Sequence, residues 1–272
     1  MNTYTPELDD LRPLVMSFGG GVNSGAMVCG FIERGLRPRK ILFADTGGEL
    51  PATYDYIQKT SEYTLKEWGV SIDIVKKTYQ GEPETLEANC LRKNMLPSLA
   101  YGRKACSQKF KIGPQELALY RWMKAEKHHF ITHAIGYDAG EKHRAVNLME
   151  TEFRVGRWSV FWVPLVEWGW DRSACIEAIK RYGLPVPGKS SCFFCPAMKR
   201  HEILSLKKDH PDYFARALAI ESIAHIITEG RGLGGSNRRW VDEDTKDEER
   251  KKLLEWVDQH DPQKIPCGCY DG

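Results

Sequence analysis

Apolar and polar positions along the first half of the chain alternate between two periods. Short apolar runs at Leu14-Val15-Met16, at Lys40–Ala44 (KILFA), at Ser71–Val75 (SIDIV) and at Phe130–Ile135 (FITHAI) predict four buried strands. Between them the apolar residues recur at helical spacing. Ala26, Met27, Cys29, Phe31 and Ile32 form one such set, and Tyr54, Ile57, Leu65 and Trp68 form another, in a helix that Pro51 opens and Gly69 ends. Pro114 opens a third helix ahead of the fourth strand. Strands alternating with helices predict an α/β fold, a parallel sheet with helices on both faces. Residues 80–103 have no clean period and read as an insertion or a substrate-facing loop. The final third reads as helical: one helix starts at Asp209-His210-Pro211 and carries an apolar face to Gly230, and a charged one lies in VDEDTKDEERKKLLEWV.

The stretch between the first strand and its helix, SFGGGVNS, holds the strongest chemical signal. Gly19, Gly20 and Gly21 cost backbone entropy without any packing return, and Ser24 stands where a helix N-cap is expected. A glycine turn feeding a helix N-terminus offers free N–H groups and partial positive charge to an anion such as phosphate; without a ligand it is only a tight turn. No Gly-Lys-Ser/Thr follows, so the phosphate loop of kinases and ATPases is excluded. Gly19-x-Gly21-x-x with Ser24 in the last place approaches a dinucleotide fingerprint, and Asp45 at the next strand's end would serve as its ribose-binding acid, so a Rossmann NAD-binding enzyme stays open. Asp45 and Thr46, where a parallel sheet places ligand-facing residues, are candidates to bind a nucleotide or Mg²⁺.

Composition narrows the class further. The 272 residues carry a formal charge of only +2, so whole-chain electrostatics make no case for a polyanionic partner. No apolar run approaches the roughly 18 residues of a membrane helix, and the polar, acidic start MNTYTPELDD is unlike a signal peptide, which together predict a cytoplasmic location. Eight cysteines in a reducing compartment read as thiols, metal ligands or redox groups. Cys192-Phe-Phe-Cys195-Pro196 places two thiols where one turn aims both at a metal, while Cys29 and Cys175 sit on apolar helix faces as core residues. His133 and His143 find no partner in the sequence. The loop RGLGGSNRRW sets Arg231, Arg238 and Arg239 beside Trp240, either as a clamp for an anionic or nucleic-acid substrate or as a solvated connector.

The glycine loop and five later segments in order resemble the phosphoadenosine phosphosulfate (PAPS) reductase family, within the pyrophosphate-loop adenine nucleotide α-hydrolase superfamily. SFGGGVNS resembles the loop Ser-Gly-Gly-x-Asp-Ser, with Gly19 for its serine and Asn23 for its aspartate. FADTGGELPATYDYI, RKACSQKFKIGP, IGYDAGEKHRA and the pair VPLVEWGW and SSCFFCP are similar to the family's later segments, the series ending at Pro196. The resemblance implies an adenine nucleotide α-hydrolase-like nucleotide-binding domain over 1–196 and a helical C-terminal region with a cysteine-containing tail over 197–272.

It implies that Ser17, Gly19, Gly20, Gly21, Asn23, Ser24, Asp45 and Thr46 bind the nucleotide, ATP or an adenylylated sulfate, and that Arg144 holds its anionic end. An i, i+3 pair with Glu141 on a solvated helix face is the plainer role for Arg144. The family's iron–sulfur members pair a tandem Cys-Cys with Cys-x-x-Cys; here Cys106-Ser107 stands instead, so a 4Fe–4S cluster on Cys106, Cys192 and Cys195 would draw its fourth ligand from Cys267 or Cys269, or keep one iron open. Zinc on such a set, or a metal-free thiol pair, are the alternatives. Cys267-Gly268 resembles the first half of the sulfonucleotide reductases' mobile cysteine motif, which makes Cys267 a candidate nucleophile. The reaction expected is thiol-dependent reduction of an adenylylated sulfate, served by a thiol reductant protein, or ATP cleavage at the α-phosphate ahead of sulfur transfer, with a nucleic acid as one acceptor. A nucleotide-binding subunit without turnover is the rival from another class.

Overall fold

A computed structural model describes residues 12–155, 158–225, 232–234 and 239–242. Its sheet has five parallel strands, β1 (Leu14–Ser17), β2 (Lys40–Asp45), β3 (Ile72–Lys76), β4 (Ile131–Ile135) and β5 (Ser159–Trp162), in the order β3-β2-β1-β4-β5. The α-helices of four or more residues among the described residues are α1 (Val22–Glu33), α2 (Pro51–Trp68), α3 (Leu86–Lys93), α4 (Gly113–Glu126), α5 (Lys142–Val155), α6 (Pro164–Glu167), α7 (Arg172–Arg181), α8 (Arg200–Asp209) and α9 (Pro211–His225). The parallel α/β sheet agrees with the expectation from the apolar runs, and β5 adds a strand to it. Only four residues long, β5 carries no period of its own and is defined by its register on β4, with Ile131 opposite Ser159 and Ala134 opposite Trp162.

Alternation along the strands builds a core on each face of the sheet. Leu14, Met16, Ile41, Phe43 and Ile72 point to one face, where they meet Ala26, Met27 and Phe31 of α1, Tyr56 and Ile57 of α2, and Cys175 and Ile179 of α7. Val15 and Leu42 point to the other, against Leu119 and Met123 of α4. Helix α4 does not begin abruptly at Pro114: a π-helical turn, Gln108–Ile112, runs straight into it. Residues 80–103 are more structured than expected. They contain half of a two-stranded antiparallel ribbon (Thr78–Tyr79 with Glu82–Pro83), the whole of α3 and a 3₁₀ turn at Ser98–Tyr101.

The chain divides into two compact units. One holds Met1–Leu86 and Ala105–Cys192 and contains the whole five-stranded sheet; the other holds Glu87–Lys104 and Phe193–Gly272. Within the second unit the buried carboxylate of Glu221 on α9 accepts from the backbone amides of Leu233, Trp240 and Val241. Trp240 is itself fully buried, so it is a packing residue and not the base-stacking partner considered from the sequence. Arg231, Arg238 and the charged helix beyond residue 242 lie outside the described residues. Among the described residues no helix is long and apolar enough to cross a membrane.

Candidate functional site

In the order β3-β2-β1-β4-β5 the chain leaves β1 toward one side of the sheet and later returns on the other, so the crevice between the C-terminal ends of β1 and β4 is a topological switch point. Ser17 ends β1 opposite Ile135 of β4, and Asp45 ends β2 opposite Lys76 of β3. The glycine loop therefore opens at the edge where an α/β sheet takes its ligand. Gly20 holds φ at +71°, and a Cβ there would come within 3.1 Å of the Thr53 methyl. Gly21, in extended backbone, is the N-cap of α1.

Ser24 is the third helical residue, which corrects its expected place at the N-cap. Its hydroxyl folds back, accepting from the Gly21 amide at 3.2 Å and lying 2.9 Å from the Gly21 carbonyl. Among the described residues, the amides of Gly19, Gly20, Val22, Asn23 and Ser24 have no acceptor within the protein. Five such N–H groups at a helix N-terminus constitute an anion cradle.

Residues remote in sequence support this loop. Ser190 Oγ lies 2.5 Å from the Gly19 carbonyl and 3.2 Å from Glu49 Oε2, and its one proton serves one of them. Glu49 is buried, and Lys111 of the π-helical turn approaches its other oxygen at 3.4 Å. Asn23 donates through Nδ2 to Asp138 at 3.2 Å and to Glu141 at 3.0 Å, while its Oδ1 accepts from Arg172 at 3.2 Å. The amide at position 23 has a clear physical reason here, because a carboxylate would meet two others at hydrogen-bonding distance. Arg144 pairs with Glu141 and lies 4.2 Å from the centroid of the Tyr137 ring. The local pair considered from the sequence is thus present, and through Glu141 it joins the polar chain that ends at the loop.

Asp45 is fully engaged within the protein. Its Oδ1 accepts from the Tyr54 hydroxyl and the Gly47 amide, both at 2.7 Å, and its Oδ2 faces Lys76 at 3.2 Å. Burial, then the bond to Asp45, pushes the Tyr54 phenol well above its usual range, so Tyr54 stays a donor. Thr46 Oγ1 accepts from the Gly48 amide and lies 3.1 Å from the Cys192 thiol.

Ser17 borders a cavity of about 300 Å³ whose polar lining includes Ser17, Gln108, Gln115, Glu116 and His133 and whose apolar walls include Ile135 and Phe161. The Ser17 hydroxyl lies 2.5 Å from Gln115 Oε1 and 2.8 Å from His133 Nε2, so the histidine without a partner in sequence has one in space. Burial lowers the His133 pKa to about 4. An unfolded histidine near 6.5 binds a proton that the folded one refuses, so stability falls as pH drops from the unfolded value toward 4 and levels off below it. Denaturant unfolding at pH 7 and pH 5 is expected to show a loss on the order of 2 kcal/mol in the wild type beyond that in His133→Gln. Equal losses would place the acid sensitivity elsewhere.

Burial also pushes the Cys29 and Cys175 thiols up to about 12, in keeping with the core role expected of both. Cys90 is buried as well, Cys106 and Cys195 are half-buried, and Cys192 is turned to Thr46. Among the described residues, no group of three or more His, Cys, Asp or Glu side chains is arranged to hold a metal ion. Cys267 and Cys269 of the tail lie outside the described residues.

Fold and loop together define a doubly wound parallel α/β protein with an anion cradle at its switch point. No protein-family model matches the chain, and no curated protein is significantly similar to it. Among solved structures it is similar to the U34-tRNA thiolase NcsA from Methanococcus maripaludis, solved with its 4Fe–4S cluster. The two are 18% identical over 79% of this chain and 73% of that one, with a TM-score of 0.45.

Proposed function

We propose that this chain is an adenine-nucleotide enzyme of the pyrophosphate-loop kind, which binds ATP and cleaves it between the α- and β-phosphates to adenylate an acceptor. The observation that carries the reading is the set of amides between Gly19 and Ser24 that have no acceptor among the described residues, in the loop that follows the end of β1. The β- and γ-phosphates occupy this cradle, where the N-terminus of α1 stabilises negative charge, and Lys111 is linked to the loop through Glu49 and Ser190. The uncharged nucleoside end suits the cavity beside Ser17 and His133, whose imidazole is neutral at physiological pH.

In the reaction an acceptor oxygen attacks the α-phosphorus, the bond to the bridging oxygen of the β-phosphate breaks, and pyrophosphate leaves with its charge held by the cradle. The acceptor's proton passes to solvent. The cradle accelerates the step only insofar as it binds the departing pyrophosphate more tightly than the bound ATP.

Incubation with ATP labelled at the α-phosphate, followed by chromatography, tests the reading. Labelled AMP or an AMP adduct together with pyrophosphate is the expected result. Labelled ADP would overturn it, and so would ATP binding with no turnover in the presence of cell extract as a source of acceptor. Preference for NAD over ATP in parallel titrations would move the protein to the dinucleotide-binding class.

A further inference from the structure

A groove of about 610 Å³ runs between the C-terminal end of β3 and the start of α4, and its charge is of one sign. Lys76, Lys77, Lys109 and Arg121 line it, and no Asp or Glu does. Two of the four are partly compensated, Lys76 by Asp45 and Lys77 by Glu84. Lys109 and Arg121 have no carboxylate partner among the described residues. Pro114, Leu117 and Arg121 follow at helical spacing, so one stripe of α4 forms a wall that is both apolar and cationic. Leu117 is 47% exposed, and Tyr79, next to the groove residue Thr78, is 41% exposed. In a chain whose formal charge is only +2, this is a local concentration of positive charge rather than a reflection of composition.

We propose that this groove binds the phosphate backbone of a nucleic acid and that the acceptor in the reaction above is carried on that strand. The inference rests on the adenylation reading for the second clause alone. Four cations on a lining that holds no carboxylate suit a repeated anion, an open trough suits a polymer better than a small ion, and exposed aromatic and aliphatic surface beside the cations suits bases. Position supplies the link to the chemistry. Lys76 reaches Asp45 at the ligand-facing edge of the sheet, and Lys109 lies two residues before Lys111, which reaches Glu49 beneath the glycine loop. A strand held in the groove thus passes the edge where an α-phosphate would be attacked.

Fluorescence anisotropy of the full chain with labelled single-stranded RNA and with DNA of the same sequence, over a salt series, tests the proposal. The wild type is expected to bind at low salt. The double variant K109E/R121E should bind at least about tenfold more weakly, with the slope of log affinity against log salt reduced by roughly 1.4, about 0.7 for each phosphate that is no longer neutralised. Its melting temperature and ATP affinity should match the wild type, and K59E/K66E, on exposed positions of α2, should bind nucleic acid normally. Failure of the wild type to bind either strand would overturn the groove, as would an unchanged slope in K109E/R121E or an equal loss in K59E/K66E. Binding to phosphatidylserine vesicles but not to nucleic acid would overturn it too. Because ATP affinity is measured on the same proteins, nucleic-acid binding without ATP binding would sink the enzymatic reading while leaving the groove intact.

Discussion

Gly21→Asp is expected to weaken ATP binding by about a hundredfold or more while changing the melting temperature by no more than about 2 °C. The backbone at Gly21, with φ −113° and ψ −179°, is extended and open to any residue, and an added Cβ would meet its nearest neighbour, the Ser190 Cβ, at an ordinary 3.7 Å. Aspartate is among the best N-cap residues, so the helix loses nothing by the exchange. Its carboxylate, however, would accept from the first-turn amides of α1 and fill the cradle with a fixed negative charge. Two unit charges about 4 Å apart near a protein surface repel by about 4 kcal/mol, and each 1.4 kcal/mol is tenfold in affinity. Gly21→Asn caps equally well without the charge and should retain more binding. Calorimetric titration of ATP into the three proteins, beside their melting curves, checks both parts. Undiminished affinity in the aspartate variant would mean that the nucleotide's phosphates lie elsewhere.

Gly30→Ala is expected to lower the melting temperature by roughly 5–10 °C, corresponding to about 2–3 kcal/mol of overpacking. Helix propensity alone points the other way, since alanine is favoured over glycine in a helix interior by up to about 1 kcal/mol. Packing reverses the sign. A Cβ on Gly30 would sit 2.2 Å from the ring of Trp168. That ring is hemmed in by its neighbours: the Arg34 guanidinium lies 4.0 Å from its centroid, and Phe31, Trp162 and Trp170 meet it edge to face. Scanning calorimetry of Gly30→Ala, Trp168→Ala and the double variant gives the check. The two changes should be strongly non-additive, because removing the indole removes the clash. A Gly30→Ala protein more stable than the wild type would show that α1 and Trp168 are not packed in this way.

The sheet and the glycine turn were legible because their signals are local. A buried strand, a glycine run and a helix with its apolar face all fall within one window of about twenty residues, and the expectation of a parallel sheet followed from repeating that pattern. The supporting residues had no such signal. Glu49 and Ser190 are 141 positions apart, Lys111 and Glu49 are 62 apart, and Ser17 and His133 are 116 apart. In the sequence Glu49 is one acid in a turn, and His133 is a polar interruption of an apolar strand. The place of Ser24 differs from expectation for a related reason: the cap depends on where Gly21 leaves extended backbone, a choice of φ and ψ that composition does not record.

What the sequence by itself determined is the order of elements and the place of the glycine turn between β1 and α1, because backbone conformation and side-chain period are set by near neighbours. Only the tertiary structure decided which side chains surround that turn. The strand order brings β4 beside β1, the buried carboxylate of Glu49 beside Ser190, and a basic groove beside the sheet edge, and these proximities arise from long-range packing that no single segment encodes.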